Sequence, residues 1–436
     1  MGAHRALMED AVRNLAAIER GSASPGEREA AEWIAARLRE LGCEARVEPE
    51  SAHGGFWGPL GLANGLAAAA GALFLRRGRH GKRARALAAA GGALGAAAIW
   101  DDVSGGRLWF RRALLPHRTT WNVVAEAGDP AADRTLLLVA HHDAAHSGLV
   151  FHPALPRVVA ERFPGAIERG DRSFPVMYLV WLGPLVVALG ALLGRRRPVA
   201  AGATLAAGAA AAMLDIGLRR VVPGANDNLT AVAALLAVAA DLRERPPGGL
   251  RVLLVSTGSE ESFSEGMHGF VRRHRSALPP ERTELLCLEC LGAPTLHVLE
   301  GEGMLRMRDY DPELRDELMR AADAAGTPIE RGWRTIAATD ALVALRRGYR
   351  AATLTSLTPW RFPINYHWPT DVPDGLHWDT LERAVEVTLA FLRRRALSGA
   401  PAGDGRAPAR SRARASTRPA PAAAGRSAPG GPGPAA

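Results

Sequence analysis

The sequence predicts an α/β fold with a mostly parallel sheet flanked by helices, two inserted transmembrane helical hairpins and a disordered C-terminal tail. Three observations lead to this expectation. Short β-rich runs alternate with amphipathic helical patterns over most of the chain, which favours a covered parallel sheet. Four long runs carry no charged residue. The last 39 residues are almost wholly Pro, Ala, Gly, Ser and Arg.

The strands and helices are predicted in chain order from their hydrophobic periodicity. A helical pattern over 27–41 comes first. β-rich runs follow at 122–125, 135–140, 251–256, 285–289 and 352–357, with helical patterns at 229–245, 266–275, 311–325 and 376–397. Ligands of such sheets bind at the carboxyl ends of the strands, so the residues directly after each strand are the candidates for chemistry.

The uncharged runs are predicted to form two membrane hairpins. Runs 56–75 and 174–194 contain 20 and 21 residues, which is enough to span a bilayer, whereas 86–100 and 198–214 contain 15 and 17 residues. A basic cluster lies between the members of each pair, at 76–85 and 195–197. Tryptophans lie near the ends of the runs, as membrane-interface residues do: Trp57, Trp100, Trp109 and Trp181. The alternative is four buried core helices.

The positive charge is concentrated outside the α/β part. The 436-residue chain has a formal net charge of +9, yet the two basic clusters hold nine Lys and Arg residues and the tail adds six arginines against one acid. The remainder is therefore mildly acidic, and no nucleic-acid partner is expected. The tail has too little apolar surface to fold, which predicts disorder. Three cysteines exclude a disulfide framework.

These patterns divide the chain into an α/β domain, two hairpins and a tail. The α/β domain is expected in three pieces, 1–55, 101–172 and 215–397, with hairpins at 56–100 and 173–214 and the tail at 398–436. Two hairpins return the chain to its starting side, so all soluble segments share one side of the membrane. Because basic tips stay in the cytoplasm, the soluble part is expected on the extracytoplasmic side. No signal peptide is expected at 1–40, which is charged and helical in pattern.

Histidines and carboxylates follow the predicted strands. His141, His142 and Asp143 come after one strand, Glu260 and Glu261 after the next, and Glu289 ends a third. Two more candidates precede helical patterns: Asp227 and His367. This mixture of nitrogen and oxygen donors at one sheet edge is typical of a zinc site. Cys287 and Cys290 are expected to pack without binding a metal.

Taken together, these motifs resemble the zinc-dependent aminopeptidase and glutamate carboxypeptidase family, whose members use co-catalytic zinc. The resemblance covers about 1–50, 120–145 and 222–395. It rests on these segments: Gly21-Ser22-Ala23-Ser24-Pro25-Gly26-Glu27, His141-x-Asp143, Gly224-Ala225-Asn226-Asp227-Asn228, Gly258-Ser259-Glu260-Glu261, Glu289-Cys290-Leu291-Gly292, Thr339-Asp340 and Tyr366-His367-Trp368-Pro369-Thr370-Asp371.

The resemblance implies a peptide substrate, two zinc ions and a role for each matching residue. His141 and Glu289 would bind one zinc, Glu261 and His367 the other, and Asp227 would bridge both. Glu260 would be the general base, and Asp143 would orient His141. The implied function is that of a membrane-bound zinc metallopeptidase, most simply an aminopeptidase. Two alternatives stay open: a glutaminyl-cyclase-like acyltransferase with one zinc, and an inactive binding or scaffold protein on the same fold.

Three departures from the family pattern matter. Glu289 stands where many relatives have aspartate, and the spacing after Glu261 is about three residues longer, at 262–264. The long insertion between Asp143 and Asp227 starts and ends beside site residues, which places the active site near the membrane surface. Candidates for holding a substrate terminus are Trp333, Arg334, Arg346, Trp360 and Arg361.

Overall fold

A mixed β-sheet forms the centre of the protein. In this computed structural model, which describes residues 2–77 and 81–398, the sheet has nine strands. They are β1 Glu44–Ala52, β2 Arg118–Gly128, β3 Thr135–His141, β4 Arg251–Thr257, β5 Thr283–Glu289, β6 Thr295–Glu302, β7 Arg308–Asp309, β8 Glu330–Thr335 and β9 Arg350–Leu357. Their order is β1-β2-β4-β3-β5-β9-β6-β7, and β8 pairs with β6.

The middle of the sheet is parallel and its edges are mixed. β4, β3, β5 and β9 run parallel to one another, whereas β1, β2 and β6 join the sheet through antiparallel pairs. The prediction of a mostly parallel sheet is therefore right at the centre and wrong at the edges. β1 escaped sequence prediction because its charged residues at alternate positions, including Glu44, Arg46 and Glu48, resemble a solvated segment.

Fourteen α-helices occur in the described part of the chain. They are α1 Gly2–Ala16, α2 Pro25–Glu40, α3 Trp57–Arg77, α4 Lys82–Val103, α5 Trp109–Leu114, α6 Ala154–Arg162, α7 Pro164–Arg169, α8 Val176–Leu192, α9 Arg196–Leu218, α10 Thr230–Glu244, α11 Glu265–His274, α12 Pro312–Ala324, α13 Asp340–Arg346 and α14 Trp378–Leu397. Helices cover both faces of the sheet, which confirms the predicted α/β class.

The buried central strands divide their side chains between two cores. Leu136 and Leu138 of β3 pack with α1, α2, α10, α12 and α14, whereas Leu137 and Val139 pack with α11 and α13. This alternation follows from the two-residue period of a strand. All seven residues of β3 are buried, so its last residue, His141, enters the site from a rigid support.

The helices α3, α4, α8 and α9 pack into a bundle with small residues inside and leucines outside. A Cβ on Gly92 would lie 2.6 Å from the backbone of Ala188, and one on Gly183 would lie 2.7 Å from that of Ala206. Glycine is therefore required at these helix contacts. Many large apolar side chains face outward instead, including Leu62, Leu66, Leu73, Leu87, Leu94, Leu179, Leu189, Leu192, Leu214 and Leu218.

Three of these helices have the length and composition of membrane spans: α3, α4 and α9. α8 has 17 residues and falls short. The sequence pattern had pointed to the first and third runs as the long ones. In the structure, α4 and α9 extend beyond the uncharged runs 86–100 and 198–214 into charged residues. α8 is shorter than the uncharged run 174–194 and lies within it.

Arginines of the basic clusters contact the ends of neighbouring helices. Arg85 donates a 2.5 Å hydrogen bond to the carbonyl of Leu192, and Arg196 donates a 2.6 Å hydrogen bond to the carbonyl of Leu75. A cation at a helix C-terminus is electrostatically favourable. The remaining tip residues 78–80, and the predicted disordered tail beyond Ser398, lie outside the described residues.

Candidate metal centre

The predicted site residues meet at the carboxyl ends of the parallel strands. His141 ends β3 and Glu289 ends β5, while Glu260 and Glu261 follow β4. Asp227 lies in one irregular helical turn, Ala225–Leu229, directly before α10. His367 comes from the long loop after β9. Five chain segments therefore deliver these side chains to one edge of the sheet, as expected for an α/β fold.

Asp227 lies between the two histidines. Its Oδ1 is 3.2 Å from Nε2 of His141, and its Oδ2 is 3.2 Å from Nε2 of His367. Glu289 Oε1 lies 3.5 Å from Nε2 of His141, and Glu261 Oε2 lies 3.1 Å from Nε2 of His367. The arrangement thus has two halves, each with one histidine and one glutamate, and the carboxylate of Asp227 faces both.

The donor atoms of this cluster fit a bound cation. Asp227 Oδ2, Glu261 Oε1 and His367 Nε2 are buried, yet none has a hydrogen-bond partner among the described residues. A buried polar atom without a partner is costly, and a metal ion satisfies such atoms. Ligand atoms of His141, Asp227 and Glu261 all lie within 4.8 Å of one another, and imidazole and carboxylate are ligands that zinc accepts.

The electrostatics also favour a cation. Burial lowers the pKa of His367, but Glu261 and Asp227 outweigh it and raise that pKa to about 10. Burial raises the pKa of Glu289 to about 7, although His141 opposes the shift. Burial likewise raises the pKa of Glu260 well above its usual range, with Glu261 among the groups that add to it. Crowded, desolvated carboxylates produce this pattern, and a positive ion relieves it.

Asp143 contacts more of the site than its predicted role required. Nδ1 of His141 lies 3.2 Å from the backbone oxygen of Asp143 and 3.4 Å from its carboxylate. The same carboxylate accepts hydrogen bonds from the backbone N–H groups of Glu260, at 2.9 Å, and Glu261, at 3.1 Å. Ser22 donates a further hydrogen bond of 2.6 Å. Asp143 therefore links the His141 strand end to the loop that carries both glutamates.

Three buried charged residues that received no predicted role support the site. Asp371 accepts hydrogen bonds from the backbone N–H groups of Asn226, at 2.8 Å, and Asp227, at 3.1 Å. Glu27 accepts hydrogen bonds from Thr120 and Ser259, and burial raises its pKa to about 8. Asp371 and Glu27 lie inside the quoted motifs, but the hydrogen-bond partners that define their positions are far away in sequence.

Arg20 is the third of these residues. It is fully buried and donates hydrogen bonds to the carbonyls of His142, Leu15, Pro223 and Gly224. It therefore ties the His141 loop to the turn that holds Asp227. Burial lowers the pKa of Arg20 to about 10. The side chain therefore remains a cation at neutral pH, close to the carboxylates of the site.

Other candidates make contacts that differ from those expected. Arg361 lies 5.0 Å from the ring of buried Trp333 and donates a hydrogen bond to the carbonyl of Gly170, and Arg334 pairs with Asp309. Cys290, expected only to pack, brings its thiol within 3.5 Å of Glu289 Oε1. Burial raises the pKa of this thiol well above its usual range, so the neutral thiol is the donor.

A narrow pocket opens beside Glu261 and His367. Its remaining walls are mostly apolar and include Phe56, Trp57, Phe151 and Ile216. Trp57 begins the first helix of the bundle and Phe56 directly precedes it, while Ile216 lies in the last turn of the fourth helix. The bundle therefore reaches the metal centre directly.

One protein-family model matches part of the chain. Residues 209–392 match the model described as peptidase family M28, a segment that includes Asp227, Glu260, Glu261, Glu289 and His367. His141 and Asp143 precede it. No curated protein sequence matches the chain.

Solved structures show the same fold at low sequence identity. A zinc aminopeptidase from Bacillus subtilis is 14% identical, with a TM-score of 0.52 over 90% of this chain and 94% of that one. An aminopeptidase from Aneurinibacillus sp. strain AM-1 is 13% identical, with a TM-score of 0.51 over 90% and 93%. Glutaminyl cyclase from Bacteroides thetaiotaomicron is 14% identical, with a TM-score of 0.50 over 89% and 97%. The match of residues 209–392, which is less than half of the chain, to the model of peptidase family M28 confirms the predicted resemblance and the prediction of a zinc-dependent peptidase.

Proposed function

We propose that the protein is a membrane-bound zinc aminopeptidase. The observation that carries this proposal is the position of Asp227, whose two carboxylate oxygens face one histidine each at 3.2 Å. A carboxylate between two ligand sets is what a pair of zinc ions requires. His141 and Glu289 would complete one ligand set, and Glu261 and His367 the other.

Glu260 is the proposed general base. Its side chain is mostly buried, with 11% exposed, and its Oε2 lies 3.9 Å from Nε2 of His141, on the edge of the ligand cluster. Zinc, when bound, supplies Lewis acidity that makes water a nucleophile near neutral pH. Glu260 would take the proton of the attacking water and pass it to the leaving amine.

The contacts of two arginines favour a substrate with a free amino terminus over one held by its carboxylate. Arg20, which is fully buried, directs its hydrogen bonds to backbone carbonyls, and Arg361 contacts Trp333 and Gly170. Neither of these arginines is directed at a substrate carboxylate, so an aminopeptidase fits the site better than a carboxypeptidase.

A substrate panel tests this activity. Detergent-purified protein with added zinc is assayed on aminoacyl p-nitroanilides, on N-acetylated peptides with an acidic C-terminal residue, and on peptides with N-terminal glutamine. We expect release of the N-terminal residue wherever the amino terminus is free, and no cleavage of the N-acetylated peptides. Ammonia release from N-terminal glutamine without peptide cleavage would favour the cyclase alternative, and hydrolysis of only the C-terminal bond would contradict the aminopeptidase assignment.

The bundle has small residues at its helix contacts and large apolar residues on its outer surface, and this arrangement supports membrane insertion. Glycine and alanine fill the contacts between its helices, while leucines such as Leu66 (53% exposed) and Leu214 (63% exposed) face outward. In water, burial of these leucines would be favoured by about 1.5–3 kcal/mol each. Lipid removes that penalty, and membrane helices characteristically pack through small residues.

Cysteine labelling tests both the insertion and its direction. Single cysteines replace Arg195 at one basic tip and exposed Ala131 in the α/β domain, in a Cys43→Ser background. With a maleimide that cannot cross membranes, we expect Ala131→Cys to react in intact spheroplasts and Arg195→Cys only after lysis. Equal labelling of both positions in a soluble fraction would contradict membrane insertion.

A further inference from the structure

We propose that the inserted helices form part of the substrate site, as the wall of a pocket for a small apolar side chain next to the scissile bond. This inference rests on the proposed peptidase function and names its substrate class. The wall consists of Phe56, Trp57, Phe151 and Ile216, and the pocket also borders Glu261 and His367. A side chain in this pocket would therefore lie against two of the proposed zinc ligands.

Aromatic contacts join the wall to the catalytic elements at three places. The ring of Phe151 meets the ring of His367 edge-on, with centroids 4.5 Å apart. Phe56 stacks on Phe263 at 4.6 Å, two residues after Glu261. Trp57 lies 4.3 Å from the ring of His146, which belongs to the loop after His141 and Asp143. The wall thus contacts three of the segments that carry site residues.

Two glycines permit this close packing. A Cβ on Gly217 would lie 2.5 Å from the Trp57 ring, and one on Gly148 would lie 2.8 Å from the Ile216 side chain. Contacts below 3.0 Å are too short for real side chains, so either position requires glycine if the wall is to keep its place. Trp57 is therefore held by the packing of α3 against α9.

A buried ionic cluster fixes the bundle to the catalytic loop. Arg111, in the short helix after the first hairpin, pairs with Asp102 of α4 at 2.5 Å and donates a 2.6 Å hydrogen bond to the carbonyl of Ser262. Arg111 also lies 3.4 Å from Glu265. Glu265 in turn accepts hydrogen bonds from the backbone of the segment that enters α3, at His53 and Gly54. Both ends of the first hairpin are thereby tied to the loop after Glu261.

The lining determines the chemistry of the group that fits. Apart from the two proposed ligands, Ser22 and His146 are the polar residues of the lining, and the rest is aromatic or aliphatic. A charged substrate side chain would lose its hydration there without gaining a partner. The pocket is also narrow, so we expect alanine to fit better than leucine, and leucine better than any charged residue.

Enlarging the pocket tests the proposal. The ratio of kcat/KM for leucyl over alanyl p-nitroanilide is measured in wild type, Trp57→Ala and Ile216→Ala. We expect the ratio to rise by about tenfold or more in both variants, because one methylene in an apolar pocket changes selectivity by about 10–200-fold. The matched control is Trp100→Ala: Trp100 packs on Trp181 in the bundle and does not line the pocket, so its ratio should equal that of wild type.

A binding measurement separates this proposal from the proposed function. Calorimetry with the hydroxamates of alanine and leucine measures binding in the pocket without turnover. If one of the two enlarged variants folds poorly, the measurement is made on the other. A rise in the leucine-to-alanine affinity ratio in an enlarged variant supports the pocket even if no peptide is hydrolysed. Ratios within twofold of wild type in both enlarged variants, by kinetics or by calorimetry, would overturn the pocket while leaving the peptidase assignment intact.

Discussion

The carboxylate of Asp143 accepts a 2.9 Å hydrogen bond from the backbone N–H of Glu260, the proposed general base. The same carboxylate lies 3.4 Å from Nδ1 of His141. One buried side chain therefore sets the position of a proposed zinc ligand and of the group that would move the proton. Outer-shell residues of this kind tune metal sites strongly.

We predict that Asp143→Asn lowers kcat/KM and zinc affinity by about 10–100-fold each. An asparagine has one acceptor oxygen, so it cannot receive both backbone N–H groups and the Ser22 hydroxyl as the carboxylate does. Ser22→Ala is the matched control, because it removes only one donor and should have a smaller effect. Steady-state kinetics and zinc titration measure both. Equal losses in the two variants would contradict this role.

We predict that zinc raises the apparent Tm of chelator-treated protein by about 5 °C or more at saturating concentration. The ion would relieve the repulsion among Asp227, Glu261 and Glu289 and satisfy the buried, unpartnered oxygens of Asp227 and Glu261. Differential scanning fluorimetry measures the shift. His367→Ala should lose most of it, whereas His274→Ala, whose histidine pairs with Glu48 at 2.7 Å instead, should retain it. The same zinc shift in both variants would contradict the proposed ligand set.

We predict that Arg111→Met lowers stability by about 3–5 kcal/mol, because it leaves Asp102 and Glu265 buried without their cation. Arg28→Met is the control: the pair of Arg28 with Glu32 is exposed and should be worth less than about 1 kcal/mol. We also expect kcat per bound zinc to fall in Arg111→Met and to recover partly in Arg111→Lys. Thermal unfolding and kinetics normalised to zinc content test this. Unchanged kcat per zinc would show that the ionic cluster stabilises the fold without positioning the loop.

We predict that Glu302→Gln stabilises the protein increasingly as the pH rises from about 4.5 to about 8. Burial raises the pKa of Glu302 to about 8, although hydrogen bonds from Tyr310 and Thr339 oppose the shift. In this pH window the folded wild type keeps a proton that the unfolded chain has lost, so wild-type stability falls with pH. Glutamine does not titrate. Thermal melts across this range should show a growing difference between the proteins, and a constant difference would contradict the prediction.

The sequence predicted the convergence of the site better than it predicted the fold around it. His141, Asp227, Glu261, Glu289 and His367 each follow a strand or precede a helix, and parallel strands place such positions together. Their roles stay predictions. The antiparallel edges could not be read from the sequence, because β1 alternates charged residues and its partner β2 follows only after the first hairpin.

Contacts between distant segments explain what the sequence left open. The three extra residues after Glu261, at 262–264, depart from the spacing of the family pattern. In the structure, two of them contact the first hairpin and the short helix after it. Phe263 stacks on Phe56 and lies 5.2 Å from the Arg111 guanidinium, while the carbonyl of Ser262 accepts a hydrogen bond from Arg111. These contacts join residues separated by more than 150 positions, and no local pattern encodes them.

The measurement that tests the central claim most directly is the zinc content per chain, determined together with hydrolysis of an aminoacyl substrate, for wild type, Asp227→Asn and Glu260→Gln. We predict two zinc ions in wild type and fewer than one in Asp227→Asn. Glu260→Gln should retain two zinc ions and lose about 10²–10⁴-fold in kcat. A wild-type protein without zinc, or a fully active Glu260→Gln variant, would contradict the account.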